Sequence, residues 1–251
     1  MANVVSYDNR GDNRNGVGTS GRKIIVRTFP IAITVCVAAL AYGSAAAQTQ
    51  MELNETAAND SKKADEALNA AYKAAMAALS GPQQTALKET QRAWIDYRDK
   101  AAKAQAALYE GGSIQPMIFS DTLARLTKER AAQLAAMLPD AVRKRAAALP
   151  DAAAAEDRRQ QADALLNKVY KAYMKDAGDP AGPLMKEAER AWITFRDLCI
   201  KSEQTLFDPS KAAAAGALSA AEMIETRTVW LKEMFIEGYD DDPAPATTPR
   251  S

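Results

Sequence analysis

Histidine is missing from all 251 residues, and cysteine occurs only twice, at Cys36 and Cys199. Without an imidazole there is no histidine base to activate a serine or cysteine nucleophile and no histidine ligand for zinc. Aromatic residues make up only 6% although 47% of the chain is hydrophobic, so alanine, leucine, valine and methionine carry the apolar content. Runs of alternating β-branched residues are absent from the body of the chain, and glycine is scarce. Alanine-rich sequence of this kind favours helix, because alanine loses no side-chain entropy there. No glycine-rich phosphate loop and no carboxylate-and-glycine calcium loop occurs. These absences predict an all-α protein that is not an enzyme and holds no metal or cofactor.

The N-terminus reads as a targeting segment spanning residues 1–47, with an extended polar stretch at its start. Arg22, Lys23 and Arg27 precede an apolar run, Ile31–Ala41, and Ala45-Ala46-Ala47 offers a small-residue cleavage site before Gln48. That run is too short to span a bilayer, which needs about 20 apolar residues. The expected product is periplasmic or secreted, with no stable membrane span after cleavage. It keeps 27 basic and 30 acidic residues, a net charge of −3, with no basic stripe for nucleic acid. Cys199 is then the single cysteine, so a disulfide within the chain is excluded. At the other end, residues 238–251 form an acidic, proline-rich tail with the composition of disorder.

Between these ends the sequence repeats itself. Lys63–Tyr72 (KADEALNAAY) matches Gln161–Tyr170 (QADALLNKVY), and Gln91–Asp99 (QRAWIDYRD) matches Glu189–Asp197 (ERAWITFRD), both at an offset of 98 residues. Arg130-x-x-x-Leu134 matches Arg227-x-x-x-Leu231 at an offset of 97. The chain is therefore a tandem duplication, with modules expected at 52–138 and 152–236 and a linker at 139–151. Helical periodicity divides each module into three helices. In the first module, Ala64, Leu68, Ala71, Tyr72 and Ala75 form one stripe. Leu87, Trp94, Tyr97, Ala101 and Leu108 form a second, and Leu123, Leu126, Arg130, Leu134 and Met137 a third. Short connections between long helices predict two three-helix bundles. The linker carries Leu-Pro-Asp at both ends, 138–140 and 149–151, which marks a short, stiff helical connector.

Three groups of residues stand out. Trp94, Tyr97, Trp192 and Phe195 occupy matched positions and read as core anchors. Asp65, Asn69, Arg98 and Arg130, repeated as Asp163, Asn167, Arg196 and Arg227, read as a polar network that fixes helix register. Asp65 and Asn69 lie at i, i+4 and share a helix face. A catalytic carboxylate pair is the sharper alternative, but no nucleophile or base accompanies it. The third group is the loop Glu110, Gly111, Gly112, Ser113 and Gln115, where two glycines allow close backbone approach to a partner. The second module has Phe207-Asp208-Pro209 there and no glycine.

The motifs AD-x-x-LN-x-x-Y, QRAWI-x-YRD, GGS-x-x-x-M and LT-x-x-R-x-x-x-L resemble the lysozyme inhibitor LprI-like domain family. The resemblance covers most of the first module; the second keeps the helix motifs and loses the glycine loop. It implies a small helical envelope domain that binds a protein partner, with lysozyme as the candidate target. An envelope structural or stress-related adaptor without lysozyme activity is the alternative. The family also implies a disulfide between the second and third helices, yet its positions hold Ala102 and Thr122 in the first module. In the second, Ile200 takes the first position and Cys199 sits one residue early. Other contacts are expected to replace that staple.

Overall fold

The computed structural model describes residues 49–235. The leader and the tail expected from the sequence lie outside the described residues. Every regular element among those described is a helix.

Helix boundaries follow local chemistry. Helix α1 (Gln50–Ala78) starts at a capping box: the Thr49 hydroxyl accepts from the Glu52 amide, and the Glu52 carboxylate accepts from the Thr49 amide. At the start of α2 (Gly81–Ala107) the Ser80 amide and hydroxyl both donate to Gln83 Oε1, with Pro82 in the first turn. Helix α3 spans Gln115–Ala135, with Pro116 at its start. The linker is a helix, α4 (Pro139–Ala147). Asp151 then caps α5 (Ala152–Asp176) by accepting from the Ala154 amide. Helices α6 (Ala181–Gln204) and α7 (Pro209–Phe235) complete the second repeat.

The two tandem helical modules are present, α1–α3 and α5–α7. In each, the third helix packs on both the first and the second. The modules meet along α2 and α6, which contact each other as extensively as helices within one repeat do. These two run antiparallel. Gln83, near the start of α2, donates to the Thr205 carbonyl just past the end of α6, while Tyr97 stacks on Phe195 midway along. The core accordingly runs unbroken from Leu68 and Leu87 in one repeat to Met185 and Leu231 in the other. Leu108 departs from the stripe expected of α2: the helix ends at Ala107, and Leu108 turns outward to 40% exposure.

Both repeats tie their second helix to their third by a side-chain hydrogen bond. The Thr122 hydroxyl donates to Gln105 Oε1 at 2.8 Å in the first repeat. At the matched positions of the second, the Ser219 hydroxyl donates to Glu203 Oε2. Thr122 is one of the two positions where the family resemblance implies cysteine, so a hydrogen bond stands beside the missing staple. A typical bond of this kind contributes about 0.5–1.5 kcal/mol, against about 2–4 kcal/mol for a disulfide.

Candidate functional site

The polar residues singled out by the repeat fall into two separate places. Arg98 lies over the Trp94 ring, 4.9 Å from its centroid, and reaches Asp65 at 3.4 Å and Asp99 at 2.9 Å. Arg196 repeats this over Trp192 at 5.1 Å, with Asp197 at 2.8 Å and Asp163 at 3.9 Å. These clusters sit toward the surface, and Asn69 and Asn167 beside them are exposed. They join the first helix of each repeat to its second.

Arg130 and Arg227 lie elsewhere, buried at the centre where the repeats meet. Each sits on an aromatic ring of the other repeat. The Arg130 guanidinium is 5.1 Å from the Phe195 centroid, and that of Arg227 is 5.5 Å from the Tyr97 centroid. Arg227 also donates to the Tyr97 hydroxyl at 3.3 Å and lies 4.2 Å from the Trp230 ring. A guanidinium over an aromatic face contributes about 2 kcal/mol or more when desolvated.

Their partners differ. Arg227 forms an ion pair with Glu189, donating through Nε at 3.0 Å and Nη2 at 2.8 Å to one carboxylate oxygen. Burial pulls the Arg227 pKa down, but Glu189 and Tyr97 outweigh it and leave it raised. Arg130 has neutral partners instead. It donates to Gln91 Oε1 and Gln133 Oε1 at 3.1 Å each, to Thr90 Oγ1 at 3.3 Å and to Cys199 Sγ at 3.5 Å. Burial lowers its pKa, and the Cys199 sulfur opposes that shift. The cause is visible at matched positions: Gln91 in the first repeat stands where Glu189 does in the second. Both residues stand in the matched motifs QRAWI and ERAWI, whose shared positions alone give them no role. The available signal was an ionisable residue aligned with a neutral one.

Around these arginines α2, α3, α4, α6 and α7 enclose a cavity of about 270 Å³. Cys199 faces it, and burial raises the thiol's pKa despite the Arg130 guanidinium beside it. Glu203 also faces it, held above the ordinary carboxyl range by burial, with the Ser219 hydrogen bond and Arg145 acting against the shift. Among the described residues, no cluster of three or more histidine, cysteine, aspartate or glutamate side chains could hold a metal ion.

The glycine loop lies outside this centre, between α2 and α3. Glu110, Gly111, Gly112 and Ser113 are exposed and Gln115 is half-buried. Gly111 has φ of 76°, a conformation that L-residues rarely adopt. Gly112 is tight for another reason: a Cβ there would meet the Tyr109 carbonyl oxygen at 3.1 Å. Leu108 and Tyr109, both partly exposed, flank the loop on its α2 side.

The family model described as lysozyme inhibitor LprI matches residues 42–134 and again 143–231. The chain belongs to that family. Both LprI repeats thus contain one of the buried arginines and one of the seam helices. An uncharacterized protein of Rhizobium meliloti (strain 1021) is 36% identical over 108 residues, covering 38% of this chain and 78% of that relative. A crystal structure of an uncharacterized protein from Burkholderia thailandensis superposes with a TM-score of 0.54 at 17% identity. That match covers 74% of this chain and 87% of the other, and it bears on the fold alone. No helix among the described residues is long and apolar enough to cross a membrane.

Proposed function

We propose that this LprI-family protein is exported to the bacterial envelope. There it binds a protein partner, lysozyme being the target the family points to, through the Glu110–Gln115 loop. The observation that carries the reading is the loop's presentation. Its polar tip, Glu110 to Ser113, stands exposed beside Leu108 and Tyr109 at the end of a helix held on both sides by packing. An exposed turn with apolar flanks and a carboxylate suits insertion into a concave enzyme cleft whose rim is basic. A helix-covered loop would instead have favoured the adaptor reading. The scaffold contributes rigidity, which limits the ordering entropy lost on binding.

The test is lysis of bacterial cell walls by a chicken-type lysozyme, followed as turbidity, with the purified chain added. Inhibition at micromolar concentration, lost in Ser113→Trp while helicity and Tm stay unchanged, supports the site. Ser113 serves better than Gly112 here, because any side chain at Gly112 displaces the Tyr109 carbonyl. Failure to inhibit at a hundredfold excess removes lysozyme as the target.

A further inference from the structure

The cavity between the repeats has the composition of a binding site, and nothing in the loop reading uses it. Among the described residues its charges pair off with one exception. Arg125 is tied to Glu129 at 2.8 Å, Arg145 to Glu222 at 2.6 Å and Glu203 at 3.3 Å, and Arg227 to Glu189 at 2.8 Å. Arg130, 3% exposed, is left as the cation whose acceptors are all neutral. A buried guanidinium without a counter-ion is costly, and the repeat shows the alternative in Arg227 with its carboxylate.

Further polar atoms of residues lining the same space are buried without a hydrogen-bond partner, Arg125 Nη2 and Ser202 Oγ among them. Ser202 is only 4% exposed. Unsatisfied buried groups of this kind call for an acceptor. The remaining walls are apolar and aromatic, with Trp94, Trp192, Phe195, Met137, Met223 and Trp230 among them. The volume, about 270 Å³, lies just under the roughly 300–1,000 Å³ usual for small-molecule pockets.

We propose that the inter-repeat cavity binds a compact monocarboxylate with an apolar or aromatic body, its carboxylate against Arg130 and Ser202 and its body among the tryptophans. One unpaired positive charge sets the ligand's single negative charge. The ring-lined walls set its apolar body, and the volume excludes a long chain. This site is independent of the Glu110–Gln115 loop.

All three tryptophans of the chain line the cavity, so intrinsic fluorescence excited at the indole edge reads it directly. The experiment titrates the full chain with 3-phenylpropionate and, in parallel, with the uncharged 3-phenylpropanol. A saturable change with the acid, at least tenfold tighter than with the alcohol and lost in Arg130→Met, is the expected result. Equal binding of acid and alcohol, or unchanged affinity in Arg130→Met, overturns the proposal. So does the absence of any saturable change at millimolar acid.

Should Arg130→Met fail to fold, a second readout uses the wild-type chain. The Cys199 thiol faces the same space, so its alkylation by iodoacetamide, read by peptide mass spectrometry, should slow severalfold with the acid and not with the alcohol. No protection by the acid overturns the assignment.

Discussion

Replacing Glu189 with glutamine converts the second repeat's buried pair into the kind of arrangement that Gln91 and Arg130 make in the first. Both donors of Arg227 fall on one carboxylate oxygen, and the two side chains are 1% and 10% exposed. A hydrogen bond to a charged group contributes about 1.5–3 kcal/mol, a neutral one about 0.5–1.5 kcal/mol. Two bonds that survive without the charge therefore lose about 2–3 kcal/mol, part of it offset because the carboxylate no longer has to be desolvated. A net loss of about 2 kcal/mol corresponds to a Tm lowered by roughly 4–8 °C for a domain of this size. Glu189→Ala removes the acceptor as well and strands the guanidinium, which costs about 3–5 kcal/mol. Thr90 and Gln133, which accept from Arg130, correspond to Ala188 and Trp230, so the Tyr97 hydroxyl and the Met185 sulfur, both at the long end of hydrogen-bond range, are what Arg227 keeps once the Glu189 carboxylate is gone. Urea denaturation of the full chain at pH 7, followed by far-UV circular dichroism, measures both variants. An m-value equal to the parent's would assign the change to stability rather than to a different unfolded state. A glutamine variant as stable as the parent, or an alanine variant no worse than glutamine, would refute the reasoning.

The reciprocal change, Gln91→Glu, gives Arg130 a carboxylate and should raise Tm by a few degrees, which differential scanning calorimetry will detect. It should also weaken 3-phenylpropionate binding, because the charge the ligand would meet is then neutralised. Glu203→Gln should be as stable as the parent or more so at pH 7. A carboxyl whose folded pKa is raised above its unfolded value binds protons more readily in the folded state, so its charged form opposes folding. The variant's advantage should therefore shrink as pH falls through the carboxyl's titration, and an advantage growing toward acid pH contradicts that sign. Ala102→Cys with Thr122→Cys places thiols on the faces that Gln105 and Thr122 bring together. If the bond forms, non-reducing electrophoresis and a gain of about 2–4 kcal/mol in denaturant will show it. Gly111→Ala should cost about 1–2 kcal/mol from its positive φ alone, since nothing lies within 4 Å of the added methyl.

Much of the fold was legible because its determinants are local. The Leu-Pro-Asp segments mark the linker's ends in the sequence, and in the structure Pro139 opens α4 while Asp151 caps α5. The stripes Leu68–Ala75 and Leu87–Ala101 name the buried faces directly. The pairing between repeats was not legible, because an apolar stripe records that a face is covered and not by what. Tyr97 and Phe195 are aromatic at matched positions whether they anchor separate bundles or stack on each other. For the same reason the repeat groups Arg130 and Arg227 with Arg98 and Arg196, from which the folded chain separates them. The partners of Arg130 and Arg227 in the second helix lie some 40 residues back along the chain, beyond the reach of helical spacing. The exposed glycine loop was the easiest to find, since two adjacent glycines between long helices admit few other readings.

The crossed arginines bear on how such a chain could arise. Arg130 on Phe195 and Arg227 on Tyr97 are one contact made twice, with donor and ring exchanged between repeats. Reciprocal contacts of that form define an isologous interface, the kind that joins two identical subunits about a twofold axis. The α2–α6 seam thus has the form of a homodimer interface within one polypeptide. Identical subunits must place the same residue at both copies of a position. Two repeats within one chain are free of that constraint, and Gln91 and Glu189 use the freedom: Arg227 has a carboxylate partner, while Arg130, lining the same cavity, has neutral ones among the described residues. No symmetric pair of single-repeat chains could encode that difference.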